Sequence, residues 1–214
     1  MKKITVITGH YGSGKTNLAV NLAVKAKKAA VVDLDVVNPY FRTADFRELF
    51  DNSGIKLVAP DFANTNLDVP SLQFDLIQLA KNSERLIVDV GGDDAGAFAL
   101  GKFSEEFNSR YDVEMLYVIN QRRFLTKTTE EALELMSEIE KASRMKHTAI
   151  VNNTNLGAET TAEIIEKSVD FAREISEKSG LPIKFTTCPE NLCEQLKIEN
   201  ILPIKVYVKP IWAD

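Results

Sequence analysis

Short, almost unbroken runs of β-branched and other apolar residues recur along the chain: ITVIT at 4–8, AVVDL at 30–34, RLIVDV at 85–90, EMLYVIN at 114–120, TAIVNN at 148–153, PIKFTT at 182–187 and IKVYV at 204–208. Such runs suit strands buried on both faces, because a strand with one wet face would alternate apolar with polar residues. Between them, helical spacing places Leu18, Leu22 and Lys25 together, then Ala132, Leu135, Met136 and Ile139, then Ile164, Ile165, Val169 and Ala172. This alternation predicts an α/β fold, a doubly wound, mainly parallel sheet of about seven strands flanked by helices. The stretch 126–145 sets Glu130, Glu131, Glu134, Glu138 and Lys141 beside an apolar stripe, the pattern of a helix with one solvated face.

Interruptions are local. APDFANTNLDVP at 59–70 is rich in Asn, Asp and Pro and reads as an irregular excursion, a lid or partner-contact loop, before a helix starting near Pro70. No internal repeat or low-complexity linker divides the chain. Residues 1–214 are therefore read as a single domain, long enough for one sizeable core.

Hydrophobic residues at 44% and charged residues at 27% are ordinary for a soluble globular protein. No apolar run approaches the roughly 18 residues that a membrane-spanning helix needs. The formal net charge of -5 makes nucleic acid an unexpected partner. Too few apolar residues precede Gly9 for a secretory core, so a cytoplasmic location is expected. Cys188 and Cys193, the only cysteines, are compatible with a reducing compartment. Their C-x4-C spacing is no recognised cluster signature, although a symmetric dimer would supply four thiols. The ending IKVYVKPIWAD lacks a basic amphipathic helix, so no membrane recruitment is expected. His147, at a helix-to-strand junction, has no second metal ligand nearby and reads as structural; no Ser-His-Asp set or H-E-x-x-H pattern appears.

The sharpest chemistry lies in GHYGSGKTN, residues 9–17. Gly9, Gly14, Lys15 and Thr16 match G-x-x-x-x-G-K-[ST] directly after a predicted strand and before a predicted helix. Backbone N–H groups of Gly12, Ser13 and their neighbours would converge on phosphate oxygens, and glycines at 12 and 14 allow the dihedrals and close approach this requires. The helix amino terminus adds positive potential. Lys15 would neutralise the β- and γ-phosphates, and Thr16 would ligate Mg²⁺. Two acidic strand ends should face the same edge: Asp33 and Asp35 in VVDLDVVNPYFRT, and Asp89 in RLIVDVGGDD. Asp89 is the candidate Mg²⁺ carboxylate, Asp35 the group that orients attacking water, and Gly92, beside Gly91, presents an amide to a γ-phosphate.

This combination resembles the MinD/ParA branch of P-loop NTPases, which includes the nitrogenase iron protein, the arsenite-pump ATPase and CobQ/CobB-type enzymes. The resemblance rests on GHYGSGKTNLAVNLA, VVDLDVVNP, IVDVGGD and IVNNTN. It implies a doubly wound parallel sheet, ATP with Mg²⁺, an unknown protein partner and a possible nucleotide-dependent homodimer. It also implies Lys15 and Asp35 as the catalytic pair, Thr16 and Asp89 at the metal, and Gly9 to Asn17 around the nucleotide. Asn152 falls where an asparagine often reads the base, and Pro189 with Glu190 would lie beside adenine. Compared with the guanine-reading N-K-x-D pattern, Asn153 and Asn155 replace Lys and Asp, which favours ATP. The chain departs from MinD and ParA at His10 and Tyr11, where those loops carry a lysine and a glycine. That lysine reaches the partner's nucleotide. Arg42, Arg122 and Arg123 are the candidate substitutes.

The leading expectation is thus an ATPase acting as a nucleotide switch. The alternatives are an ATP-dependent kinase or ligase of CobQ/CobB or dethiobiotin-synthetase type, with Asn38, Tyr40 and Arg42 near its acceptor, and a metal-cluster carrier.

Overall fold

A computed structural model describes residues 1–26, 28–34, 46–58, 76–92, 94–124 and 126–207. Its strands are β1 Ile4–Gly9, β2 Ala29–Leu34, β3 Lys56–Val58, β4 Arg85–Val90, β5 Val113–Ile119, β6 Ala149–Asn152, β7 Ile183–Pro189 and β8 Ile201–Ile204. They form one sheet in the order β3-β2-β4-β1-β5-β6-β7-β8, and every pairing is parallel. The helices are α1 Lys15–Ala26, α2 Arg47–Asn52, α3 Leu76–Asn82, α4 Asp94–Gly101, α5 Ser104–Arg110, α6 Thr129–Ser143 and α7 Ala162–Ser179.

Alternate residues of each strand point to opposite faces, and the two faces carry separate cores. Ile4, Val6, Val88 and Tyr117 pack with Leu76, Ala97, Phe107, Ala132 and Phe171 of α3 to α7. Ile7, Ile87, Val31 and Leu116 pack with Leu18, Ala19 and Leu22 of α1 and Phe50 of α2. From β1 the chain crosses one face toward β2, and after β4 it crosses the other toward β5. Connections of opposite direction on opposite faces place a ligand crevice at the carboxyl end of β1.

Two differences from the sequence pattern have local causes. Lys56–Val58 is an eighth strand, too short for periodicity to announce. The predicted strand 204–208 is replaced by β8 at Ile201–Ile204. Beyond Ile204 the backbone bonds to α1 instead of the sheet: Asn21 exchanges hydrogen bonds with Lys205 N–H and C=O, each 2.8 Å, and Asn17 accepts from Tyr207 N–H at 2.8 Å. The excursion at 59–70 and the helix start near Pro70 lie outside the described residues. The helix expected over 126–145 spans Thr129–Ser143, where Thr128 and Glu131 form a reciprocal capping box at its start.

Candidate functional site

β1 ends at Gly9, and α1 starts at Lys15, so residues 10–14 form a tight loop at the sheet's carboxyl edge. Its conformation needs its glycines. Gly9, Gly12 and Gly14 have φ of 143°, 72° and 91°, values that side chains disfavour. A Cβ at Gly9 would collide with the Val118 carbonyl, and one at Gly14 with the Asn153 amide. Lys15, nearly buried, donates from Nζ to the His10 carbonyl at 3.0 Å, so its ammonium lies over the loop's own concavity.

Among the described residues, the buried side-chain polar atoms without a hydrogen-bond partner are His10 Nδ1 and Ser13 Oγ. Both belong to this loop. Buried polar atoms are normally paired, so among the described residues these two single out the loop as a place able to receive a polar ligand. Burial, the largest influence, and the charges of Lys15 and Arg123 hold the His10 imidazole below its ordinary pKa, although the nearby Tyr11 backbone opposes them.

Two acidic strand residues stand side by side. Asp33 of β2 stands opposite Asp89 of β4, and Asp89 opposite Ile7 of β1. Both carboxylates therefore share the face that α1 covers, and both are 1% exposed. Gly92 abuts the loop, since a Cβ there would lie 2.5 Å from Tyr11 N. Arg123 lies across the loop's middle: its Nε would be 3.4 Å from a Cβ at Gly12. Arg122 instead lines an open cleft of about 630 Å³ with Gln121, Lys127 and Lys167. Asp35, Asn38, Tyr40 and Arg42 lie outside the described residues.

Asn152 and Asn153 face different ways. Asn152 donates to Ser168 Oγ at 2.8 Å and accepts from Thr154 N and Oγ1, so its buried amide is turned away from the loop. Asn153 is the residue that reaches the loop: Nδ2 donates to the Ser13 carbonyl at 2.6 Å, and Oδ1 accepts from Thr187 Oγ1. Thr187 lies two positions before Pro189 on β7, which places Pro189 on the same edge. The Asn17 side chain is engaged by Lys205 and Tyr207.

The thiols form a local pair. Cys188 Sγ and Cys193 Sγ both donate to the Pro189 carbonyl, at 3.3 and 3.4 Å. Burial, together with the neighbouring thiol, pushes Cys188 up to about 12. His147 is buried beneath the site. Its Nε2 lies 2.8 Å from Thr8 Oγ1, and its Nδ1 lies 3.2 Å from Glu140 Oε1. The connectivity hydroxyl, imidazole, carboxylate that the sequence did not reveal is thus present, but Thr8 and His147 are sealed in the core and no substrate reaches them.

The donor set fits a nucleoside triphosphate with Mg²⁺: loop amides and an ammonium for phosphates, and the Thr16 hydroxyl with the Asp89 carboxylate for the metal. Among the described residues no group of three or more His, Cys, Asp or Glu side chains could hold a metal ion alone.

No protein-family model and no curated protein matches the sequence. Solved structures are similar in fold. The cell division protein FtsY of Thermotoga maritima is 20% identical, with a TM-score of 0.55, over 94% of this chain and 65% of that one. The signal recognition particle receptor FtsY of Elizabethkingia anophelis in complex with GDP is 16% identical, with a TM-score of 0.55, over 86% and 56%. The 54 kDa signal recognition particle protein of Aeropyrum pernix K1 in complex with GDP is 21% identical, with a TM-score of 0.51, over 86% and 40%. The chain thus spans less than two thirds of the length of each. At these identities the likeness shows the fold, that of an α/β P-loop NTPase.

Proposed function

We propose that this chain is a Mg²⁺-dependent nucleoside triphosphatase of MinD/ParA type, acting as a nucleotide switch on a protein partner, with ATP as its nucleotide. The observation that carries the reading is the loop itself, whose buried polar atoms lack partners while Lys15 rests on the His10 carbonyl. Lys15 exchanges that carbonyl for the β- and γ-phosphates. Thr16 and Asp89 would hold Mg²⁺, which supplies charge neutralisation across those phosphates when bound. Asp35 orients the attacking water. Because Gly92 packs against the backbone of Tyr11, any shift of the loop on binding phosphate moves the start of the segment leading to α4, which is the switch.

Two observations support the finer points. The segment Asn152 to Leu156 offers no carboxylate for the N1–H and 2-amino donors of guanine, and Asn155 is committed to its neighbours' backbone, which favours adenine. GDP in two structures of similar fold keeps guanine as the competitor to test. Tyr11 and Phe124 are 51% and 73% exposed on loops leaving β1 and β5, giving the phosphate edge an apolar rim for a protein partner or a second copy.

Phosphate release and equilibrium binding with MgATP and MgGTP test this reading. Lys15→Ala should abolish tight binding, and Asp89→Asn should remove the Mg²⁺ dependence. Unchanged affinity in Lys15→Ala overturns the site, and tighter binding of GTP overturns the base assignment. The cationic cleft at Arg122, Lys127 and Lys167 favours a second reading, a kinase or ligase with an anionic acceptor. That reading requires ATP use that appears only when a small acid is added.

A further inference from the structure

Arg123 is held in place by a turn with little freedom. Its N–H donates to the Asn120 carbonyl at 3.1 Å, its carbonyl accepts from Thr126 N–H at 3.4 Å, and Thr126 Oγ1 closes the turn on the same Asn120 carbonyl at 3.2 Å. Asn120 is buried, and its amide is fixed by Asn155 C=O and by Arg122 N–H. The turn leaves β5, which pairs along the whole of β1 up to Gly9 and Val118. The side chain is thereby delivered onto the phosphate loop.

Its placement there is specific. Nε, Cδ and Cζ lie 3.4 to 3.6 Å from the point a Cβ of residue 12 would occupy, so the guanidinium packs where Gly12 has no side chain. A Cβ at 12 would be in ordinary van der Waals contact with it, and a longer side chain would compete for the same space. Among the described residues the guanidinium has no hydrogen-bond acceptor and no ion-pair partner. Its field and that of Lys15 both reach His10, so two cations act on one loop. A guanidinium held against a phosphate-type loop without an acceptor of its own is an arrangement that a polyanionic ligand stabilises.

We propose that Arg123 is a second phosphate-binding cation of this site, which contacts the phosphates of a bound nucleoside triphosphate alongside Lys15, from within the same chain. A guanidinium matches phosphate oxygens with two parallel N–H donors, and its delocalised charge is in place before charge builds on the transferring group. The inference rests on the P-loop reading above and adds to it the residue that supplies the loop's second charge. It also gives the site a complete set of phosphate cations without a second copy of the chain.

The test uses the full chain as wild type, Arg123→Ala, Arg123→Lys and Lys15→Ala, with equilibrium binding of a non-hydrolysable triphosphate and single-turnover hydrolysis. Arg123→Ala should weaken triphosphate binding roughly tenfold or more and slow hydrolysis further, on the order of 10²- to 10³-fold. Arg123→Lys should fall between, and free guanidinium should restore part of the Arg123→Ala rate, a rescue that a merely structural role would not show. Wild-type affinity and turnover in Arg123→Ala, with both lost in Lys15→Ala, overturn this proposal and leave the P-loop reading standing. Binding that survives in Lys15→Ala overturns the reading beneath it.

Discussion

Asn153 joins three segments with one amide: the Ser13 carbonyl of the loop, the Thr187 hydroxyl of β7 and, through its own N–H, the Ile119 carbonyl of β5. Removing the amide takes the side-chain donor from the buried Ser13 carbonyl and leaves the Thr187 hydroxyl only its long 3.5 Å bond to the Asn152 carbonyl, so Asn153→Ala should cost about 1–3 kcal/mol in urea unfolding. It should also weaken nucleotide binding, because Ser13 and Gly14 lose their support, whereas Asn152→Ala should affect stability far more than affinity. Calorimetry on both variants separates the two effects. The phosphate loop was legible because its chemistry is contiguous: one stretch supplies the amides, the ammonium and the hydroxyl. The asparagine that supports it was not, because neighbouring strand residues point to opposite faces and only the assembled sheet decides which of Asn152 and Asn153 meets the loop.

At the scale of elements, α1 does more than follow the loop. Asn17 and Asn21, one turn apart, bind the backbone of residues 205–207 as a strand edge would, and Lys25 donates to the Pro203 carbonyl at 2.6 Å. The Tyr207 ring packs edge-on against Phe46, with centroids 6.5 Å apart, and Phe46 precedes α2. Asn21→Ala should therefore destabilise the chain by about 1–3 kcal/mol and expose the amide of residue 205 to faster hydrogen exchange, which mass spectrometry reads directly. Unaltered exchange at 205 would show that the helix does not hold this segment. The run IKVYV carried every local mark of a strand. What it lacked was any sign of the two asparagines, 188 and 184 residues away, that compete with the sheet for its backbone. The buried strands and long helices were readable from periodicity because each follows from its own sequence.

For the whole molecule, two buried acid–base clusters among the described residues contribute to the response to pH. Burial outweighs the pull of Glu140 and lowers His147 from 6.5 to about 4. A histidine depressed in the folded state keeps its contribution above the unfolded pKa and loses it as pH falls, so stability should decline between about pH 6.5 and 4. The slope is about 1.4 kcal/mol per pH unit, with a total of about 3 kcal/mol. His147→Gln should be less stable at neutral pH yet flat across that window in denaturant titrations. Burial alone would raise Glu114, but bonds from Lys184, Thr5 and the Lys2 backbone more than reverse this and hold it below the usual carboxylate range. Its contribution is lost only as pH falls below about 4.5. Among the described residues no helix is long and apolar enough to cross a membrane. The central claim is that the edge around Gly9 to Thr16 binds a nucleoside triphosphate. The most direct measurement is calorimetric titration of the full chain with a non-hydrolysable ATP analogue and Mg²⁺, beside the same titration of Lys15→Ala. The account predicts saturable one-to-one binding in the first and its loss in the second; no heat in the first, or the same affinity in both, would contradict it.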